Sequence, residues 1–287
     1  MIINWYPGHM AKAKRLIQAN LKIIDVVIEL VDARIPWSST NPMISQLIGQ
    51  KPSVVVLNKA DLADAAVLED WIQYYKKQGR LVIALNSKDG KGVKSLMALV
   101  RRLAAPKLEH WRARGLKNRS VRTMILGIPN VGKSTLINKL ARRSAAKTAD
   151  KPGETKGKQW VHIGDQLDLL DTPGVLWPKL ENQVSAYRLA ATGAISDTVF
   201  DMETVITQLI TELSTWYPDE VKTRFKLDSL CEAPLDTIEA IGRKRGCIVA
   251  GGVVDLEKTY KLILKEYREG KIGRISLDRV AEAGEDA

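Results

Sequence analysis

"NKAD" stands at residues 58–61 and "GIPNVGKS" at residues 127–134, and their order along the chain decides the fold. The first follows the apolar run Ser53-Val54-Val55-Val56-Leu57, and the second follows another predicted strand at 121–126. The second matches G-x-x-x-x-G-K-[ST] between a strand and a helix, the context in which that motif cradles phosphates. The first has the form of a loop that reads a base. Nucleotide-binding chains usually wrap the phosphates first and read the base later. Here the base reader comes first.

Each motif carries its own chemistry. The loop Asn130-Val131-Gly132-Lys133-Ser134-Thr135 offers backbone N–H groups at a helix N-terminus, where anions bind. Lys133 is placed to reach the β and γ phosphates, and the Ser134 hydroxyl to bind Mg²⁺. Asp171-Thr172-Pro173-Gly174 follows the apolar segment 166–170. Asp171 there is a carboxylate for the outer sphere of the Mg²⁺, and the Gly174 amide meets the γ phosphate. Alone, such a turn is a weak signal; downstream of a phosphate loop it is a strong one.

In NKAD, Asp61 can accept both N1–H and N2–H₂ of guanine. Asn58 can hold the O6 and N7 side and brace the phosphate loop, and the Lys59 stem can cover one ring face. Adenine would leave the carboxylate unpaired, a penalty of about 1–3 kcal/mol or more, which argues for GTP over ATP. Asn86-Ser87-Lys88, after a predicted strand at 81–85, sits where backbone N–H groups would contact O6, although its match is looser. Thr155 in "PGETKGKQW" (152–160) lies between the phosphate loop and Asp171, where a switch threonine would coordinate Mg²⁺.

The composition bounds the rest. The chain has 287 residues, 45% apolar and 27% charged, a globular composition that suits one large domain or two modest ones. No apolar stretch reaches membrane-span length, and residues 1–9 lack the pattern of a signal peptide, so a cytoplasmic protein with no membrane partner is expected. Cys231 and Cys247 form no CxxC pair and read as reduced core residues. His9, His110 and His162 are scattered, which argues against zinc. The net charge of +11 points to a polyanionic partner. Basic residues cluster at 101–122 around Trp111, and again at Arg243-Lys244-Arg245, Lys271 and Arg274.

Alternating apolar strands and amphipathic helices predict a parallel-rich α/β sheet covered on both faces. The expected elements are a helix at 10–22, a strand at 25–31, a loop carrying Pro36 and Pro42, strand 53–57, helix 65–78, strand 81–85 and helix 93–104. A basic linker at 105–120, strand 121–126, helix 133–142 and strands at 158–163 and 166–170 follow. Residues 1–180 thus form the nucleotide domain. Residues 181–280 keep helical periodicity and read as a helical domain, and 281–287 as a flexible acidic tail. The parts of a Ras-like site are all present in a rotated order. A sheet can be cut and rejoined in this way when its old ends are close, and the new C-terminal side of the phosphate site then runs straight into the helical domain.

The permuted order, with "NWYPGHMAKAKR" (4–15), "DARIPWSSTNP" (32–42), "GIPNVGKST" (127–135) and "GGVVDLEKTYKLILKEYREGKIGRISLD" (251–278), resembles the circularly permuted GTPases of ribosome assembly along essentially the whole chain. The resemblance implies GTP and GDP as ligands with Mg²⁺, late maturation of the large ribosomal subunit, and rRNA binding through the helical domain; the basic clusters there make Arg243, Lys244, Arg245, Lys271 and Arg274 the expected RNA contacts. A monomer is expected when free. Val175 stands where many GTPases carry a water-orienting Gln. The resemblance nominates His9, in a Gly8-His9 turn, for that work. It also makes Asn130 similar to an asparagine that helps bind potassium in related GTPases. Two rival readings stay open: a metabolic phosphotransferase, and a GTP-binding RNA scaffold with little turnover.

Overall fold

The computed structural model describes residues 7–115, 119–145, 160–163, 167–170, 172, 174 and 182–284, with the backbone path alone at 7–13, 143–145 and 284. Its strands are β1 (Val26–Asp32), β2 (Ser53–Asn58), β3 (Val82–Leu85), β4 (Val121–Gly127), β5 (Trp160–Ile163) and β6 (Leu167–Leu170). They form one six-stranded sheet in the order β3-β2-β1-β4-β6-β5. Every pairing is parallel except that of β5 with β6. All seven residues of β1 are buried, as sequence runs without polar alternation require when both faces are covered.

The register brings the functional loops to one edge. Asp32 pairs with Asn58, Asn58 with Leu85, and Leu30 with Gly127, so β1 to β4 end together. The chain adds β2 and β3 on one side of β1, then β4 and β6 on the other. The crevice between β1 and β4 is therefore the point where strand order reverses, the usual place for a ligand in such sheets.

Helices α1 (Pro7–Leu21), α2 (Pro36–Ser39), α3 (Pro42–Ile48), α4 (Ala65–Lys77), α5 (Val93–Ala113) and α6 (Lys133–Ala145) accompany the sheet. Ile17, Leu21, Ile44 and Ile48 from α1 and α3 pack with Val27 and Met124 on one face, and Leu68, Trp71 and Tyr75 of α4 extend that layer over Val31 and Val55. Leu96 and Val100 of α5 and Leu136 and Leu140 of α6 pack with Ile28, Val54 and Ile125 on the other.

Four expectations change. The loop at Pro36 and Pro42 contains α2 and α3, because each proline takes a first-turn helical position where its missing N–H costs nothing. The basic linker at 105–120 is helical as far as Ala113. Pro106 lies inside α5, but the buried stripe Val93, Leu96, Val100, Ala104 and Trp111 runs past it. Lys107 pairs there with Asp25 at 2.5 Å, and the Arg119 guanidinium lies 3.9 Å from the Trp111 ring centre, so part of that basic cluster works within the fold. Cys231 is exposed and only Cys247 is buried.

The last correction concerns the acidic tail. Residues Val280–Gly284 form a 3₁₀ turn, and Ala283 is buried. Arg188 explains it. Its guanidinium donates to Glu212 at 3.0 Å, Asp278 at 3.1 Å and Glu282 at 2.5 Å, gathering three carboxylates from the helix Met202–Trp216 and the C-terminal segment around one buried cation.

Helices α7 (Gln183–Thr192), α8 (Met202–Trp216), α9 (Pro218–Phe225), α10 (Pro234–Lys244) and α11 (Leu256–Arg268) make up the C-terminal part. They share a core with the sheet: one apolar cluster runs from Ile28 and Ile35 through Leu189 and Ile206 to Ile263 and Leu277. The segment after α11 returns to the nucleotide domain. Leu277 N donates to Arg34 O at 2.8 Å, and Trp71 Nε1 donates to Asp278 O at 3.3 Å.

Candidate nucleotide site

The phosphate loop joins the end of β4 to the start of α6. Asn130 there has φ +55° and Gly132 φ +104°. A Cβ at Gly132 would lie 2.3 Å from Asn58 Nδ2, so a side chain at this position is excluded by space as well as by backbone. Lys133 is nearly buried, and its ammonium donates to Gly127 O at 3.1 Å and Ile128 O at 2.6 Å. Ser134 and Thr135 are exposed at the start of α6, and Val131 is buried beneath the loop. Loop N–H groups, a helix N-terminus and a lysine that lies back over the loop fit a bound polyphosphate.

The turn after β6 closes on this loop. Thr172 Oγ1 donates to Ile125 O at 2.5 Å, and a Cβ at Gly174 would lie 2.7 Å from Pro129 Cα and 3.0 Å from Lys133 Nζ. Gly174 therefore sits against the phosphate loop as the sequence motif requires. Asp171 and Thr155 lie outside the described residues, as does Val175.

Asn58 is the hub of the base side. Its Nδ2 donates to Val131 O at 2.7 Å, and its Oδ1 accepts from Ser87 N at 3.0 Å and Ser87 Oγ at 2.7 Å. The expected brace between base loop and phosphate loop is in place. The expected use of the 86–88 amides is not. Ser87 N–H is spent on Asn58, and Lys88 N–H donates to Asn86 Oδ1 at 2.8 Å, closing a small turn. Asp61, three residues along from Asn58, is exposed.

Lys59 adopts φ +61°, and its ammonium reaches Asp32 Oδ2 at 2.8 Å. That anchor runs its stem from the end of β2 to the end of β1. Burial alone would raise the Asp32 carboxyl, but the charges of Arg34 and Lys59 hold it well below the usual carboxylate range. Arg34 grips the same carboxylate through Nε at 2.9 Å and Nη2 at 2.8 Å. Burial lowers the Lys59 ammonium, with Asp32 working against it. Asp32 and Arg34 were not among the sequence candidates. Their one local signal is a strand-ending Asp two residues before an Arg.

Other candidates fall elsewhere. His9 is in the first turn of α1 and not in a tight non-helical turn, and its side chain lies outside the described residues. Asn130 Nδ2 donates to Gly193 O at 2.7 Å, linking the phosphate loop to the C-cap of α7. Arg243 and Lys244 are exposed; Arg243 meets Glu239 at 3.6 Å and Gly252 O at 3.5 Å, and Lys244 meets Asp228 at 3.9 Å. Lys271 pairs with neighbouring Glu269 at 2.6 Å. Arg245 instead donates to Arg224 O at 2.9 Å and faces Glu266 at 3.4 Å. Arg274 donates to Ala63 O at 2.8 Å and Ala60 O at 3.2 Å. These last two guanidinium groups are committed to the fold.

A phosphate loop at the switch point of a mostly parallel sheet, with its base loop earlier in the chain, defines a circularly permuted P-loop GTPase. Residues 122–225 match the family described as "50S ribosome-binding GTPase". The ribosome biogenesis GTPase A of Priestia megaterium is 49% identical over 99% of both chains, and that of Bacillus cereus 47% identical over 99% of this chain and 96% of its own. The chain belongs to the ribosome biogenesis GTPase A (YlqF) family of ribosome-assembly GTPases. The mouse mitochondrial ribosome-associated GTPase 1 is 32% identical over 97% of this chain and 90% of its own. Among solved structures, GDP-bound TM YlqF matches with a TM-score of 0.69 at 27% identity, covering 93% of this chain and 100% of that one. GNP-bound YlqF from T. maritima matches with 0.66 at 28%, covering 93% and 98%.

Proposed function

We propose that this GTPase docks on the large ribosomal subunit in a nucleotide-dependent way and couples GTP hydrolysis to a late step of that subunit's assembly. One observation carries the coupling: the phosphate loop touches the helical part directly, through Asn130 and the Gly193 carbonyl. A change at the γ phosphate therefore has a short path to α7 and to Arg268, which donates to Ala191 O at 3.0 Å beside it. The description of the matching family, and the names of the relatives, support a ribosomal partner.

In this reading Asp61 recognises guanine, and Asn58 and Ser87 hold its loop in place. The amides of residues 130–135, with Lys133 and Gly174, receive the phosphates. Ser134 and Thr155 would hold Mg²⁺ with Asp171 behind it, and the ion would neutralise charge between the β and γ phosphates. Asn130 would serve a potassium ion through its side-chain oxygen. His9 orients the attacking water in place of the absent Gln, and rRNA orders it there, so turnover is slow alone and faster on the subunit. Helices of 181–280 form the RNA-binding part, with Arg243, Lys244 and Lys271 facing phosphates. The protein acts in the cytoplasm as a monomer until it docks.

Co-sedimentation tests the docking. Protein loaded with a non-hydrolysable GTP analogue should travel with large subunits, and GDP-loaded protein should be released. Equal retention in both states, or retention on small subunits, contradicts the proposal. The scaffold reading keeps one specific point in its favour, Val175 in place of Gln. Single-turnover hydrolysis on the subunit no faster than in solution would favour it.

A further inference from the structure

The loop that carries Asp61 is held from the far end of the chain. Arg274 Nη2 donates to Ala60 O at 3.2 Å and its Nε to Ala63 O at 2.8 Å. Ile275 N donates to Leu62 O at 2.9 Å. Asp64 N donates to Ser276 Oγ at 3.2 Å, and Tyr217 Oη donates to Asp64 Oδ2 at 3.3 Å. Gly270 leaves room for Leu62, whose Cδ2 would lie 2.6 Å from a Cβ there.

On the strand side the loop is tied to the sheet by Ala60 N, which donates to Leu85 O at 3.2 Å. Lys59 sits in the left-handed region, which a non-glycine residue occupies at a cost. Leu62 N donates to Lys59 O at 2.9 Å, closing a single turn around Asp61. The carbonyls on either side of Asp61, those of Ala60 and Leu62, point out of that turn and find their donors on residues 274 and 275. Fixing the backbone on both sides fixes where the Asp61 carboxylate can point.

We infer that Arg274 is a positioning residue for base recognition, and that the segment Arg274–Ser276 completes the guanine reader from the C-terminal end. The inference rests on the reading of Asp61 as the group that meets guanine. It replaces the expectation that Arg274 meets RNA. Arg274 touches no substrate; it acts through the loop.

The test uses the full chain and two diphosphates, GDP and inosine diphosphate. Inosine lacks the 2-amino group, so the ratio of the two affinities reports how well Asp61 meets its second donor. A hydrogen bond to a charged group sets the scale, so wild type should prefer GDP by about 10-fold or more. Calorimetric titration of Arg274→Ala should narrow that preference by about 3-fold or more, and Arg274→Lys should recover part of it. A misfolded fraction would lower the stoichiometry and leave the ratio alone. Arg274→Ala with the wild-type ratio, whether its affinities stay or fall together, overturns the inference. Asp61→Asn is run beside it. Loss of preference in Asp61→Asn but not in Arg274→Ala sinks the role of Arg274 alone. An unchanged ratio in Asp61→Asn removes Asp61 from the site, and this inference with it.

Discussion

The side-chain amide of Asn58 donates to the backbone carbonyl of Val131 at 2.7 Å, across 73 residues of chain. Its oxygen is meanwhile held by Ser87. One buried residue at the end of β2 thus ties together the loops after β2, β3 and β4. Permutation has changed the order in which these loops are synthesised and left their meeting point intact.

Asn58→Ala should therefore cost stability and affinity together. It orphans the Ser87 N–H and the Val131 carbonyl in a buried place, at about 1–3 kcal/mol for each group. Chemical denaturation should place the free protein about 2 kcal/mol or more below wild type, and nucleotide titration should register a weaker GDP complex. A variant with wild-type stability would mean that the tie carries no load.

Asp61→Asn isolates base reading from folding, because Asp61 is exposed. GTP binding should weaken, and xanthosine triphosphate, whose C2 oxygen matches the new amide donor, should gain. Titration of both nucleotides decides the matter, and unchanged GTP affinity would exclude Asp61 from the site.

Much of this was legible in the sequence, and the limits have physical causes. The mostly apolar strands β1, β2 and β4 and the loops at their ends are local patterns, so periodicity and spacing expose them. Pro106 and the charge around it hid the rest of α5, because the buried stripe that sustains that helix has wide gaps. Arg274 could not be assigned from pattern: its partners, Ala63 and Ala60, are 211 and 214 residues away. Arg188 was equally silent. A single Arg in a helical run gives no sign that three carboxylates will gather on it, and so the tail it holds looked free.

The basic residues of α10 and its C-cap should separate by their surroundings. Arg243 and Lys244 have only exposed partners, which contribute little. Replacing both by Ala should weaken binding to the large subunit and flatten the slope of log affinity against log salt by roughly one unit per lost phosphate contact. Arg245→Ala should instead lower stability, since it leaves the Arg224 carbonyl without its donor and removes one of the two guanidinium groups on Glu266, the other being that of Arg224. A wild-type salt slope in the Arg243/Lys244 variant would assign that pair to a solvated face.

Two buried carboxylates give opposite pH dependences. Asp32 is held below its ordinary value, so its contribution is present above the carboxylate range and is lost as pH falls through the folded value. Burial pushes Asp278 up to about 6 from an ordinary 3.8, against the pull of Arg188 and Ser38. Its folded form holds the proton more tightly, so its contribution is present below pH 3.8 and is lost as pH rises through about 6. The swing is about 3 kcal/mol. Denaturant unfolding of wild type and Asp278→Asn between pH 4 and 7 should show wild type gaining on the variant as pH falls. A pH-independent difference would place the Asp278 proton elsewhere.

The central claim is that this permuted site hydrolyses GTP under the control of the large subunit. Its most direct test is GTP turnover measured with free large subunits, with small subunits and with neither, for wild type and for His9→Ala. We expect large subunits alone to accelerate wild type. His9→Ala should lose about 10²-fold or more of that acceleration, as removal of a positioned acid–base group does, while binding GTP nearly as well. Turnover that ignores large subunits, or responds equally to small ones, would contradict the account.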